Sequence, residues 1–582
     1  MHARPAAGAS LRHTLTLMAL HCLGDLDLVA DFKYPHSTQL LLATGKDLPF
    51  DAGDYRLCTS PPVSDVSAYF LVRSELMLGT DKIPIGMGLC VPRSCANETS
   101  LETLHLFLER LHRYLPPNAT LRDPTLQLAP SDVQPWDAGT YAAFLLVVAL
   151  ALCCLIGALV SLFSRPSTAA VNPTAIPQRQ SVNGGHATAE PTTTNEPLLQ
   201  VESSKREARY TALGCCRGAS GCLLVFVAHF NVVRNASRMI SVPAAQPTDC
   251  LNGMRVLSML WIVLGHTFLQ PQAISGYGNP LSLTSLGWGD GRQWTFQLIV
   301  GAQMAVDTFF YLSAFLFGHH FLAQLAKNRR LPNPMLMYVH RYLRLTPVMA
   351  FWLLLFYKLA PHLSDGPFWQ DFVHSVVDKC DGSWWSQLLY IQNFYPWDSD
   401  TVCMGWTWYL GNDFIFYAIS PFLVYAYVRH AKLGWLALAT VLLGSLVSTW
   451  LVSSAKACGV YILNQVEYGN YTYWLYSKPW HRLPPWLVGL ATSYIWRKQE
   501  HSITSALRKS AGLSAGIMCG SLLLMLAIVL APASDFVHGD DWSPGGTVNN
   551  LYLTFSRLLW GLGCAAFSVC CFAQVKKGEG GG

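Results

Sequence analysis

Apolar residues in this chain gather into long unbroken runs instead of alternating or recurring along one helical face. The first, Tyr141–Phe163, holds no charged residue, and about 20 such residues cross a bilayer as an α-helix. Further runs lie at about Gly253–Phe268, Ala302–Leu322, Leu345–Leu359, Trp406–Val428, Leu433–Val452, Leu483–Trp496, Ala511–Leu530 and Leu551–Ala573. About nine spans are therefore expected. Leu483–Trp496 is the weakest, being short and containing Pro484 and Pro485.

Charge orients these runs. Asp132 and Asp137 precede the first, whereas Arg165, Lys205, Arg206 and Arg209 follow it. Positive flanks stay cytoplasmic, so the preceding segment is expected outside or in a lumen. Alternation then puts Lys327–Arg330, Arg429–Lys432, Arg497–Lys498 and Lys576–Lys577 on the cytoplasmic side, and the acidic Asp535–Asp541 outside. Four parts are expected: residues 1–138, an extracytoplasmic cysteine-containing domain; 139–163, the first transmembrane helix; 164–245, a cytoplasmic linker with an interfacial segment; and 246–582, a multispan domain. Ser164–Arg209 is rich in Pro, Thr, Ala, Ser and Asn and is read as disordered, because it cannot bury enough apolar surface to offset its ordering. Cys222–Val233 is too short to span. Its neighbours Arg217, Arg234 and Arg238 suggest a helix lying on the membrane surface, with a buried core helix as the competing reading. Leu11–Leu23 is a poor signal sequence, broken by His13 and His21.

Composition agrees with this picture. The chain is 51% apolar and only 13% charged, against about a quarter charged in soluble domains. The fold class is an all-α polytopic membrane protein with a small disulfide-bonded extracytoplasmic N-terminal domain. A net charge of +5 over 582 residues does not suggest nucleic acid. Cys22, Cys58, Cys90 and Cys95 fall outside beside the sequons at Asn97 and Asn118, so a disulfide framework is expected, with three pairings open. Cys380 and Cys403 share one outer loop and make a natural further pair. Cys215 and Cys216, on the other side, are expected as thiols. No His/Cys set has the spacing of zinc ligands, so no metal is expected.

The segment DCLNGMRVLSMLWIVLGHTF (Asp249–Phe268) resembles the opening of the acyltransferase-3 domain. AVDTFFYLSAFL (Ala305–Leu316), HRYLRLTP (His340–Pro347), WWSQLLYIQNFYP (Trp384–Pro396), CMGWTWYLGNDFIFYAISP (Cys403–Pro421) and KPWHRLPPWLVGL (Lys478–Leu490) are similar to the animal "nose resistant to fluoxetine" subgroup of that family. GLCVPRSC (Gly88–Cys95) is similar to the end of the subgroup's cysteine domain. The resemblance implies acyl transfer from acyl-CoA to a hydroxyl acceptor. The family pattern continues into further spans ending in a Tyr/His-containing helix, which this sequence lacks, so a chain without its C-terminal spans is expected.

Arg255 and His266 are eleven residues apart, which returns to one helical face within about 20° and separates them by roughly 16 Å along the axis. Ionisable groups inside a span are costly and mark function. His266 is a candidate general base that takes the acceptor hydroxyl's proton during attack on a thioester. Its alternative is a buried histidine donating to a neighbouring backbone carbonyl. Arg341 and Arg344, one turn apart, are candidates to clamp the phosphates of coenzyme A, although flanking topology charge explains such pairs equally. Trp406, Tyr409, Asp413 and Tyr417 step along one face. Asp413, like Asp307, either orients His266 or the acceptor or only knits helices together. Ser313 is read as a packing residue.

The expected function is a membrane O-acyltransferase, with His266, Arg255 and Asp413 catalytic and Arg341 and Arg344 binding the acyl-CoA donor. Membrane lipid and a hydroxyl-bearing acceptor (lipid, sugar or small molecule) are the expected partners. The expected location is the endoplasmic reticulum or plasma membrane, with the N-terminal domain lumenal or extracellular. The alternative is a carrier or receptor for lipids or hydrophobic small molecules on the same scaffold. The topology has a direct test. Asn97, Asn118 and Asn470 should carry glycans and the sequon at Asn235 should not; an endoglycosidase shift lost only on Asn235→Gln would invert it.

Overall fold

A computed structural model of the chain describes the strands within residues 50–128 by their backbone, and residues 135–163, 229–241, 248–274, 294–364, 367–398, 401–460, 471–533 and 540–574 apart from isolated positions. The head region contains a feature not expected from the cysteines, a four-stranded sheet of order β1-β3-β2-β4. Its strands are β1 (Phe50–Asp51), β2 (Ser67–Leu78), β3 (Asp81–Pro92) and β4 (Ala119–Leu128). β2 and β3 pair antiparallel from Ser67↔Pro92 to Leu78↔Asp81, β4 flanks β2 antiparallel, and β1 lies parallel to β3. The disulfide framework expected there lies outside the described residues.

Residues Trp136–Ala244 form a unit of their own. It contains α1 (Ala138–Phe163) and α2 (Val232–Ile240). Asp137 caps α1, its carboxylate accepting from the Thr140 amide at 2.7 Å. α2 begins at Val232, where the Asn231 side chain caps it by accepting from the Arg234 amide; most of Cys222–Val233, where a surface helix is expected, lies outside the described residues.

The other helices are α3 (Cys250–Ile274), α4 (Trp294–Val300), α5 (Gln303–Asn328), α6 (Pro334–Leu354), α7 (Pro367–Phe372), α8 (Trp384–Leu388), α9 (Trp408–Arg429), α10 (Ala431–Ala455), α11 (Pro479–Lys509), α12 (Ala511–Leu530) and α13 (Thr547–Gln574). Every expected span is helical. Among the described residues six helices are long and apolar enough to cross a membrane: α1, α5, α6, α10, α12 and α13. With the family-scale apolarity of the chain they make this an integral membrane protein. α3, α9 and α11 carry more polar residues and fall short of that apolarity.

The contacts give these helices an up-and-down order. Gly318 faces Ser493 and Gly489 faces Ala314, so α5 and α11 run in the same direction. Trp486 donates to Ser420 and Tyr494 stacks on Tyr427, which adds α9. Gly561 faces Pro485 and Phe572 meets Trp496, which adds α13. The others oppose them: α3 through Cys250 beside Cys571 and Trp261 beside Trp560, α6 through Tyr338 on the Ala418 carbonyl, α10 through Thr449 on His481, and α12 through Ser514 on Gln574. This is the alternation that the basic clusters demand.

Two helix boundaries differ from expectation for physical reasons. α6 starts at Pro334 rather than near Leu345, capped by the Asn333 side chain on the Met335 amide. Arg341 and Arg344 therefore lie inside the helix, not at its flank. α11 runs far beyond Trp496 and bends at Gln499, whose φ of −124° leaves the helical region.

α5 and α11 approach so closely that side chains are excluded between them. A Cβ on Gly489 would lie 2.5 Å from the Tyr311 carbonyl oxygen and 2.8 Å from the Ala314 Cβ, whereas one on Gly520 would meet nothing within 4 Å. Gly489→Ala should therefore cost about 1–3 kcal/mol, and Gly520→Ala should gain about 1 kcal/mol of helix propensity. Thermal melts of the purified variants read both signs, and equal effects would show that the contact is not tight.

Candidate functional site

Asp413 is buried on α9, five residues from an N-terminus fixed by a buried polar lattice. In that lattice Asn393 donates to the Trp408 carbonyl at 2.8 Å and to the Asn412 side chain at 2.6 Å, and Asn412 donates to the Ser477 carbonyl at 3.0 Å. The segment carrying Asn393 is closed by a Cys380–Cys403 disulfide. With its neighbour so held, Asp413 reaches two helices. It pairs with Arg341 of α6 and accepts from the Ser313 hydroxyl of α5 at 2.9 Å.

The Arg341 guanidinium lies 4.0 Å over the Tyr417 ring, one turn along α9 from its carboxylate. Both charges are largely removed from water, with side-chain exposures of 20% for Arg341 and 7% for Asp413, and Arg341 Nε has no acceptor. Tyr409, one turn earlier on the same face, stacks on Phe310 of α5. Two of the five expected site residues, Arg341 and Asp413, are thus in direct contact. Ser313 proves to be a ligand of the carboxylate, which its small size in an apolar run did not reveal. Trp406, expected on this face, instead sits exposed in the turn before α9.

The other three expected residues stand apart. Arg344 is exposed on α6 and makes no hydrogen bond or ion pair with a described residue. His266 is exposed on α3, and its Nδ1 bonds to the Ile262 carbonyl at 2.9 Å. A carbonyl only accepts, so Nδ1 carries the hydrogen in this bond. Arg255 donates to its neighbour Asn252 at 2.9 Å. No described contact joins His266 to Arg341 or Asp413.

Asp307, fully buried near the start of α5, faces Arg482 of α11 and Arg557 of α13. Neither arginine stood out in the sequence: Arg557 is a charge inside an apolar run, which was the available signal, whereas Arg482 precedes the run Leu483–Trp496 and reads as a flanking charge. Among the described residues no group of three or more His, Cys, Asp or Glu side chains is placed to hold a metal.

A family model described as an acyltransferase domain matches residues 248–579. The chain is 31% identical over 297 residues to Nose resistant to fluoxetine protein 6 of Caenorhabditis elegans, covering 47% of this chain and 35% of that protein. It is 23% identical over 336 residues to Regulator of hypoxia-inducible factor 1 of the same organism, covering 52% of this chain and 60% of that protein. The chain thus spans less than two thirds of the length of these relatives. No solved structure matches it.

The Arg341–Asp413 pair generates a stability prediction. Removing one partner of a buried pair costs about 3–5 kcal/mol, while apolar replacement of both is near neutral. Arg341 keeps some exposure, so Asp413→Leu should sit at the low end, about 3 kcal/mol, and Arg341→Met with Asp413→Leu should recover most of it. A double-mutant cycle on melting temperatures with no coupling would mean that the two side chains do not interact.

Proposed function

We propose that this chain, which belongs to the acyltransferase-3 family, transfers an acyl group from acyl-CoA to a hydroxyl acceptor within the membrane. The observation that carries this reading is the largely buried Arg341–Asp413 pair, held by Ser313, inside the family-matched region. Ionisable groups among membrane helices are costly and mark binding or chemistry.

In this reading Arg344, with no described partner, and the unsatisfied Nε edge of Arg341 hold the donor's phosphates, since guanidinium suits multidentate phosphate recognition. Asp413 keeps Arg341 aimed. His266 takes the acceptor hydroxyl's proton on Nε2, the oxygen attacks the thioester carbonyl, and the carbon–sulfur bond breaks as coenzyme A leaves with that proton. Arg255 and His266 lie about 16 Å apart along α3, so the donor's thioester must extend along the helix or the acceptor must come to it. The N-terminal domain would stand on the lumenal or extracellular side.

A second reading, a carrier or receptor for lipids or hydrophobic molecules, is favoured by a cavity of about 850 Å³ between α10, α11, α12 and α13. Its walls are apolar, including Leu438, Leu442, Leu487, Trp496, Leu507 and Leu558. The two readings separate on one preparation, with labelled acetyl- and palmitoyl-CoA as donors. His266→Gln should fold and bind donor normally while turnover falls by about 10² to 10⁴. Unchanged turnover in that variant removes His266 from the mechanism, and donor binding without any transfer by the parent chain favours the carrier.

A further inference from the structure

Asp307, Arg482 and Arg557 form a charge cluster closed off from solvent, with side-chain exposures of 0%, 0% and 2%. Arg482 Nη1 donates to both carboxylate oxygens of Asp307 at 3.3 and 3.2 Å, and its Nε donates to the Tyr476 carbonyl at 2.8 Å. Arg557 Nη2 donates to the Tyr471 hydroxyl at 2.8 Å, while its Nε lies 3.7 Å from Asp307. Two guanidiniums therefore share one carboxylate.

The hydrogen bonds around the cluster fix every other charge. The Tyr471 hydroxyl donates to Gln303 at 2.7 Å while accepting from Arg557, so it is a neutral phenol. His481 Nε2 accepts from the Trp480 indole at 2.7 Å and its Nδ1 bonds to Thr449 at 2.9 Å, so it is a neutral imidazole. The cluster is left with one excess positive charge. Trp408 and Tyr476 hold their ring faces 4.8 and 4.7 Å from the Arg482 guanidinium, which softens that charge without cancelling it.

Donors are in excess as well. Arg482 Nη2 and Arg557 Nε and Nη1 are buried without an acceptor, and so is the hydroxyl of Thr554, one turn before Arg557 on α13. Water can satisfy such donors but cannot neutralise a charge buried in a low-dielectric interior, which stays strongly unfavourable until it is paired. A way in is short. Asp307 lies four residues from the start of α5 and Arg482 three from the start of α11, only about one helical turn below the end of the bundle.

We propose that Arg482, Arg557 and Thr554 form a binding site for one monovalent anion, a halide or a carboxylate, that completes the charge balance around Asp307. The match is in charge, because a divalent anion would overshoot to a net negative cluster. The site is separate from the Arg341–Asp413 pair and does not rest on the acyl-transfer reading.

The test is a titration of the purified full chain in detergent with sodium chloride, sodium acetate and sodium sulfate at constant ionic strength. Melting temperature should rise saturably with chloride, acetate or both, and not with sulfate; which of the two acts distinguishes halide from carboxylate. Equal, unsaturated rises with all three salts would be a general salt effect and would overturn the site. Arg557→Gln removes the excess charge and should lose the saturable rise, whereas Arg557→Lys should keep it. An undiminished rise in Arg557→Gln would also sink the proposal. Should Arg557→Gln fail to fold, binding of radiolabelled chloride and acetate to the parent chain still decides, with saturation near one per chain expected and no saturable binding fatal.

Discussion

An ionised group held among membrane helices is costly unless it finds a counter-charge, and among the described residues α5 and α9 supply the two buried carboxylates that pair with arginines. Arg341 turns to Asp413 of α9; Arg482 and Arg557 turn to Asp307 of α5. Ser313, six residues beyond Asp307 on α5, joins the first group by its hydrogen bond to Asp413. One helix therefore touches both polar centres, and α6, α9, α11 and α13 are each tied to it by a charge or through one. The close glycine contacts of α5 with α11 follow from the same demand, since the short Asp307 side chain reaches Arg482 only if the two backbones come near.

Much of this was legible in the sequence, and the failures are specific. Runs such as Ala511–Leu530 announce themselves because lipid tolerates little besides apolar helix. Charge asymmetry then yields an alternation of direction, which the contacts among α3, α5, α6 and α9–α13 reproduce in relative terms. The start of α6 was hidden because Arg341 reads as a flanking charge until its partner is known, and that partner lies 72 residues away. Arg557 was overlooked within a long run for the complementary reason: a single charge in a span looks like an exception rather than half of a pair. The sheet in the head was obscured by the cysteines, which draw attention to covalent order and say little about backbone pairing.

The candidate site was legible in parts. Asp413, Tyr409 and Tyr417 fall on one face of α9 as helical stepping requires, and Arg341 meets that face from α6. Helical stepping also puts His266 on the Arg255 face but says nothing about which neighbours that face meets. The structure gives it a bond within its own helix and an exposed position. Residue type and spacing therefore identified candidates, while their grouping depended on contacts between helices distant in sequence.

The Cys380–Cys403 crosslink has a consequence for where this protein is able to mature. It closes a loop of 23 residues, which by chain entropy alone disfavours the unfolded state by about 3 kcal/mol. Inside that loop lies Asn393, which grips the first turn of α9, and thus the register that delivers Asp413 to Arg341. The alignment of a largely buried charge pair is in this way tied to the oxidation state of two sulfur atoms outside it. A compartment that keeps thiols reduced would loosen the internal ion pair without touching either of its members, so the redox history of the chain is written into its interior.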